Sequence, residues 1–136
     1  MTSFNLSPEE KSQLIEAAQS VLQNAYAPYS GFRVGAAILT HLGNLFTGCN
    51  VENSSYGLTI CAERAAIVSA VAQEGGDRMK IRAVAVVNEK GTYCPPCGAC
   101  RQVMFEFGAD AAILLQEGNA LKQVTMAQLL PGAFQL

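Results

Sequence analysis

Charge is scarce in this 136-residue chain, and positive charge is scarcer than negative. Charged residues are 15% of the sequence, with nine Lys and Arg against eleven Asp and Glu, a net charge of −2. With an isoelectric point near 5.3, the chain lacks the basic surface that draws proteins onto phosphate backbones or anionic membranes. Nucleic acid is therefore not an expected partner. No stretch approaches the roughly 18 apolar residues that span a bilayer. The opening Met1-Thr2-Ser3-Phe4-Asn5 has no basic run, and Glu9 and Glu10 interrupt any apolar core after it. A secretory leader is not expected, and the expected location is the cytoplasm. Internal repeats, linkers and low-complexity tracts are also missing. Histidine is reduced to one residue, His41, which falls in a turn and is expected to face solvent.

What is present is largely apolar. Hydrophobic residues make up 50% of the chain, and the mean hydropathy is +0.20. That is enough for one core in a single domain spanning 1–136, with no need of disulfides. Low charge also leaves apolar residues on the surface, as subunit contacts require. The five cysteines, Cys49, Cys61, Cys94, Cys97 and Cys100, are expected as thiols or metal ligands in a compartment that keeps disulfides reduced. Cys49 reads as a small buried hydrophobe.

Start and stop signals divide the chain into nine elements. Ser7-Pro8-Glu9-Glu10 joins a capping serine, a proline at the first helical position and a glutamate three residues after the cap. Leu14, Ala18, Val21, Leu22 and Ala25 then share a helix face, and Pro28 and Gly31 break the pattern. Residues 32–40 and 45–49 read as strands around a turn at His41-Leu42-Gly43-Asn44. Residues 50–59 read as polar and irregular. A helix is expected over 61–72, stopped by Gly75-Gly76, then a strand over 81–87 that is apolar enough to be buried on both faces. Pro95-Pro96 introduces a helix over 97–107, in which Met104, Phe105 and Phe107 are expected core. Strands at 111–115 and 121–125 and a short helix at 126–130 complete the order. The predicted fold is a three-layer α/β/α sandwich around a mixed five-stranded sheet.

The chemistry concentrates in Cys61-Ala62-Glu63-Arg64 and Pro96-Cys97-Gly98-Ala99-Cys100-Arg101. Each group sits where a helix begins, and free N–H groups with the positive end of the helix dipole favour thiolate over thiol there. Cys97 and Cys100, three apart, project from one helix face, and Cys61 adds a third thiolate from a second helix start. Zinc suits such a donor set. Three ligands leave a position for water, whereas four close a structural site. Glu63, two residues after a ligand, is close enough to take a proton from that water. Two other readings remain. Cys94-x-x-Cys97-x-x-Cys100 matches iron–sulfur spacing, although no fourth cysteine follows and Cys61-Ala62-Glu63 would then have no task. Cys94 could also close a four-cysteine structural zinc, against the awkward return imposed by two prolines.

The sequence resembles the small, homotetrameric cytidine deaminases that act on free nucleosides. The resemblance runs from about Tyr26 to Phe134. It covers Tyr26-Ala27-Pro28-Tyr29-Ser30, Phe32-Arg33-Val34-Gly35-Ala36-Ala37, Gly48-Cys49-Asn50-Val51-Glu52-Asn53, Cys61-Ala62-Glu63-Arg64, Pro96-Cys97-Gly98-Ala99-Cys100-Arg101-Gln102 and Leu129-Leu130-Pro131-Gly132-Ala133-Phe134. It implies one zinc held by Cys61, Cys97 and Cys100, and Glu63 carrying a proton from water to the cytosine ring and then to the departing amine. Arg64 would hydrogen-bond a ligand sulfur and offset the excess negative charge of three thiolates. The family pattern assigns Asn50 and Glu52 to the ribose 3′-hydroxyl; two residues apart in an extended segment, they point to the same side. It further gives the Ala62 N–H to the base carbonyl, places Phe32 against the nucleoside, and brings Tyr56 and Phe134 near the site across subunit interfaces. Pro95 stands where many relatives have Ser or Thr, and its carbonyl would receive the leaving amine. Cytidine and deoxycytidine are the expected substrates, in pyrimidine salvage. A base within RNA or DNA fits poorly with the acidic charge, and a nucleoside antibiotic such as blasticidin fits less well with the Asn50-x-Glu52 pair. Arg101 has no assigned role.

Overall fold

In the computed structural model, which describes residues 5–136, period-two alternation along the strands sorts the core into two clusters. Ala36 and Ile38 of β1 (Val34–Thr40), Val84 and Val86 of β3 (Ile81–Asn88), and Ile113 and Leu115 of β4 (Ala112–Glu117) face one side. Ala37, Ala83, Ala85, Val87, Ala112 and Leu114 face the other. The first face is covered by α2 (Ala62–Glu74), α3 (Gly98–Phe107) and α4 (Met126–Leu129), and the second by α1 (Pro8–Leu22). With β2 (Leu45–Cys49) and β5 (Ala120–Thr125), the sheet order is β2-β1-β3-β4-β5. β3 and β4 are parallel and the other neighbours antiparallel. The expected three-layer sandwich with a mixed five-stranded sheet is the observed fold. Ile38, Ile67 and Ile113 are fully buried at its centre, where truncation to alanine costs about 2–5 kcal/mol each.

Local signals explain the helix starts. Ser7 and Glu10 form a reciprocal capping box with Pro8 at the first turn, and Glu10 also receives hydrogen bonds from Arg82 of β3. The α1 face of the sheet is made mostly of alanines because the helix lies close: a Cβ on Gly35 would stand 2.0 Å from the Ala18 carbonyl oxygen. That helix ends at Leu22, so Ala25 lies beyond it.

Other boundaries shift by one or two residues. Cys61 and Cys97 are N-caps rather than first helical residues. β1 begins at Val34, because Phe32 and Arg33 are occupied by the Asn50 side chain and by Glu89. The segment read as irregular contains a 3-10 turn at Tyr56–Leu58 and bridges joining Tyr26, Val51 and Ile60. Met104 is fully buried, with Phe105 and Phe107 partly buried beside it. Cys49 is only half-buried. No helix among the described residues is long and apolar enough to cross a membrane. Residues 1–4, at the start of the opening noted above, lie outside the described residues.

Candidate active site

Two helix N-termini converge beyond the carboxyl end of β3. α2 is seated by Gly48 of β2, where an added Cβ would meet Ala66 N at 2.4 Å and the Ala62 carbonyl oxygen at 2.5 Å. Cys61 caps this helix in an extended conformation, φ −75° and ψ 153°, without using its side chain as the cap. Cys97 caps α3 and does use its sulfur, which accepts the Cys100 N–H at 3.4 Å. The sulfurs of Cys61, Cys97 and Cys100 consequently lie within 4.8 Å of one another. Arg64 donates to the Cys61 sulfur at 3.4 Å and to the Thr59 carbonyl at 3.5 Å.

These contacts set the charge of the cluster. A hydrogen bond from the Cys100 thiol, reinforced by Arg64, holds the Cys61 thiol down at about 5. Cys100, bonded to Cys61 and buried, is pushed up. Glu63 is 5% exposed, and burial first, then the neighbouring Cys61, raises its carboxyl to about 7. Its own first-turn N–H and Arg64 oppose that rise. A carboxyl poised there can both accept and return a proton near neutrality.

Cys61, Ala62, Glu63, Cys97 and Asn50 line one cavity of about 230 Å³, together with Asn88, Cys94 and Pro95. Asn50 is buried and committed locally: its Oδ1 accepts the Val34 N–H at 2.8 Å, and its Nδ2 donates to the Phe32 carbonyl at 2.9 Å. Glu52 lies elsewhere. With Tyr29, Ser30 and Tyr56 it lines an adjoining cavity of about 290 Å³, and Thr59 borders both. Its carboxylate accepts the Tyr29 N–H at 2.9 Å, the Ser30 N–H at 3.1 Å and the Ser30 hydroxyl. The Ser30 side chain, then these amides, lowers its pKa. Asn50 and Glu52, on either side of Val51, thus line neighbouring cavities, while Val51 itself bridges to Tyr26 and Ile60.

The aromatic candidates are more peripheral. Phe32 is half-buried, with the Lys90 ammonium 5.7 Å from its ring centre. Tyr56 is 75% exposed and meets Tyr29 edge-on at 5.9 Å. Phe134 is 69% exposed and borders neither cavity of its own chain. Two contributors escaped the sequence reading. Ser30, present in a quoted motif, proves to be the partner of Glu52. Asn88 accepts from the Lys90 and Thr92 amides and shapes the loop leading to Cys94; an Asn followed by Glu-Lys-Gly after a buried strand is a recognisable turn signal.

The donor set fits zinc. Thiolates at about 2.3 Å from a tetrahedral ion stand about 3.8 Å apart, within the 4.8 Å spread of this trio. Helix-start amides and Arg64 compensate the sulfur charge. Cys94 is exposed and stands outside the cluster, so three thiolates are the arrangement that leaves a position open. Residues 8–116 match the family described as the cytidine and deoxycytidylate deaminase zinc-binding region.

The chain belongs to that family.

Zinc is the metal of this deaminase-family site, and Cys61, Cys97 and Cys100 form its donor cluster. A probable cytidine deaminase of Dictyostelium discoideum is 46% identical over 95% of this chain and 86% of its own length. The cytidine deaminase of Halalkalibacterium halodurans is 45% identical over 92% and 94%. The crystal structure of the cytidine deaminase from Burkholderia pseudomallei superposes with a TM-score of 0.82 at 45% identity, covering 95% of this chain and all of that one.

Proposed function

We propose that this chain, as one deaminase domain, hydrolyses cytidine and deoxycytidine to uridine and deoxyuridine with release of ammonia, in pyrimidine salvage. The observation that carries this reading is the placement of Glu63, a buried carboxyl that lines the same cavity as Cys61 and Cys97 of the metal-ligating trio. Cys61, Cys97 and Cys100 would hold the zinc ion, which would supply Lewis-acid activation of a water, lowering its pKa from about 15.7 to roughly 7. Glu63 is placed to take one proton from a water and deliver it to N3 as the water oxygen bonds to C4. It then moves the second proton from the new C4 hydroxyl to the exocyclic amine, so that the C4–N bond breaks, ammonia leaves and C4 keeps its oxygen as a carbonyl. One carboxyl serves in both directions because it returns to its starting state when ammonia leaves.

The Ala62 N–H, at the start of α2, binds the base carbonyl, and Pro95, which borders the cavity, offers its carbonyl to the leaving amine. Asn50 and Glu52 read the 3′-hydroxyl from the two sides of Thr59, with Phe32 packing against the sugar and base. Tyr56 and Phe134 act on a neighbouring copy, which their exposure in one chain supports. The protein works as a cytoplasmic homotetramer whose apolar surface, including Leu58 and Val68 at 65% and 63% exposure, is covered by subunits.

The test follows cytidine by ultraviolet absorbance with native, zinc-stripped and E63Q protein. Native protein should turn over, stripped protein should not, and E63Q should keep its zinc and lose about 10²–10⁴-fold in kcat. Near-native turnover by E63Q would remove Glu63 from the mechanism, and zinc-loaded native protein inert toward both nucleosides would remove the substrate assignment.

A further inference from the structure

Arg101 follows Cys100 directly, and its backbone N–H donates to the Cys97 carbonyl at 2.9 Å. Its side chain, half-buried, bridges two other segments. Nε donates to the Pro96 carbonyl at 2.6 Å, and Nη1 donates to the Leu129 carbonyl at 2.8 Å. Pro96 is the buried residue immediately before Cys97 and borders the cavity. Leu129 is the last residue of α4, with 9% exposure. The next residue, Gln102, donates to the Phe134 carbonyl at 3.1 Å.

The sequence explains why such a brace is needed. Pro95 and Pro96 have no N–H, so at both positions the segment entering α3 can be held only through its carbonyls. α4 has four residues, too few to sustain a helix by its own hydrogen bonds, and its final carbonyls lack intrahelical partners. A guanidinium supplies charge-assisted bonds to both in one rigid fork, which is stronger and more directional than two neutral contacts.

We infer that Arg101 is a positioning residue for the metal: it fixes the turn that presents the Cys97 sulfur by bracing it against α4. The inference rests on the zinc-dependent reading above. It predicts that Arg101 governs how firmly zinc is retained, although it touches neither zinc nor substrate.

The experiment measures zinc release from loaded R101Q and R101K protein to a chromogenic chelator, beside the thermal midpoint and the steady-state constants for cytidine. S7A, which loses the cap of α1 on the opposite face of the sheet, is the control for general destabilisation. R101Q should release zinc roughly ten- to hundredfold faster than native protein. R101K, which keeps the charge without the fork, should fall between the two. S7A should release zinc at the native rate despite its lower midpoint. Native release by both Arg101 variants overturns the inference, as does equal acceleration in S7A at a matched loss of midpoint. If R101Q does not fold, R101K decides, and a native rate there overturns it. Native protein that holds zinc but ignores cytidine sinks the substrate assignment alone, since release is read without turnover.

Discussion

Arg64 bonds the Cys61 sulfur through Nη2 while its Nε is buried with no hydrogen-bond partner. The guanidinium is thus held at the metal cluster although one donor goes unsatisfied, which is costly for a buried N–H. The compensation is electrostatic. Three thiolates and one zinc ion sum to −1, and a cation against one sulfur restores the metal's pull on a water. Replacing Arg64 with glutamine should therefore weaken zinc binding by about ten- to hundredfold. Chelator competition measures this directly. Lysine at the same position keeps the charge and should lose less. Native affinity in both variants would show that the sulfur contact does not tune the metal.

The approach of α2 to β2 is as demanding as the charge balance. Gly48 touches Ala62 and Ala66, one residue and five residues into the run that begins at Cys61. G48A forces backbone apart, since the atoms met at 2.4 and 2.5 Å are main-chain and cannot rotate away. Loss of stability should be about 1–3 kcal/mol. Because the displaced turn carries Cys61 and Glu63, activity should fall further than stability alone explains. G43A is the comparison: its added Cβ meets open space, although its φ of +89° adds a local backbone cost far from the site. Equal activity per folded molecule in G48A and native protein would separate the helix seat from the chemistry.

Most of the sheet and, to within one residue, the start of every α-helix were legible because their signals are local. The Ser7 capping box, the alternation that separates Val84 from Ala85, and the cysteines at two helix starts each depend on a few neighbouring residues. The metal trio was legible for the same reason: its spacing is written at two helix N-termini. The relation of Asn50 to Glu52 was not. An extended segment predicts that side chains two apart share a face, but the two line adjoining cavities, and the groups that hydrogen-bond to them, Val34 and Phe32 for Asn50 and Tyr29 and Ser30 for Glu52, lie 16 to 23 residues away in the chain. The role of Arg101 was hidden likewise, because its partner Leu129 lies 28 residues away. What escaped the sequence was pairing across long separations, which no local pattern records.

Glu10 offers a test of stability that leaves the active site untouched. It closes the capping box with Ser7 and binds Arg82, so the start of α1 is fastened to β3. The Arg82 hydrogen bond first, then the Ser7 N–H, holds its carboxyl below the usual value of 4.5. A carboxyl depressed in the folded state stabilises the fold fully above its unfolded pKa, and that stability is lost as pH falls through the folded pKa. E10Q preserves the reach needed for the cap and removes the charge. At pH 7 the variant should be less stable by about 0.5–1 kcal/mol, the size expected for a partly exposed ion pair. The gap should narrow once the pH drops below 4.5 and close as the native carboxyl protonates. Urea unfolding of both proteins at several pH values measures it. A gap that stays constant down to strongly acid pH would assign the effect to capping geometry and not to the ion pair.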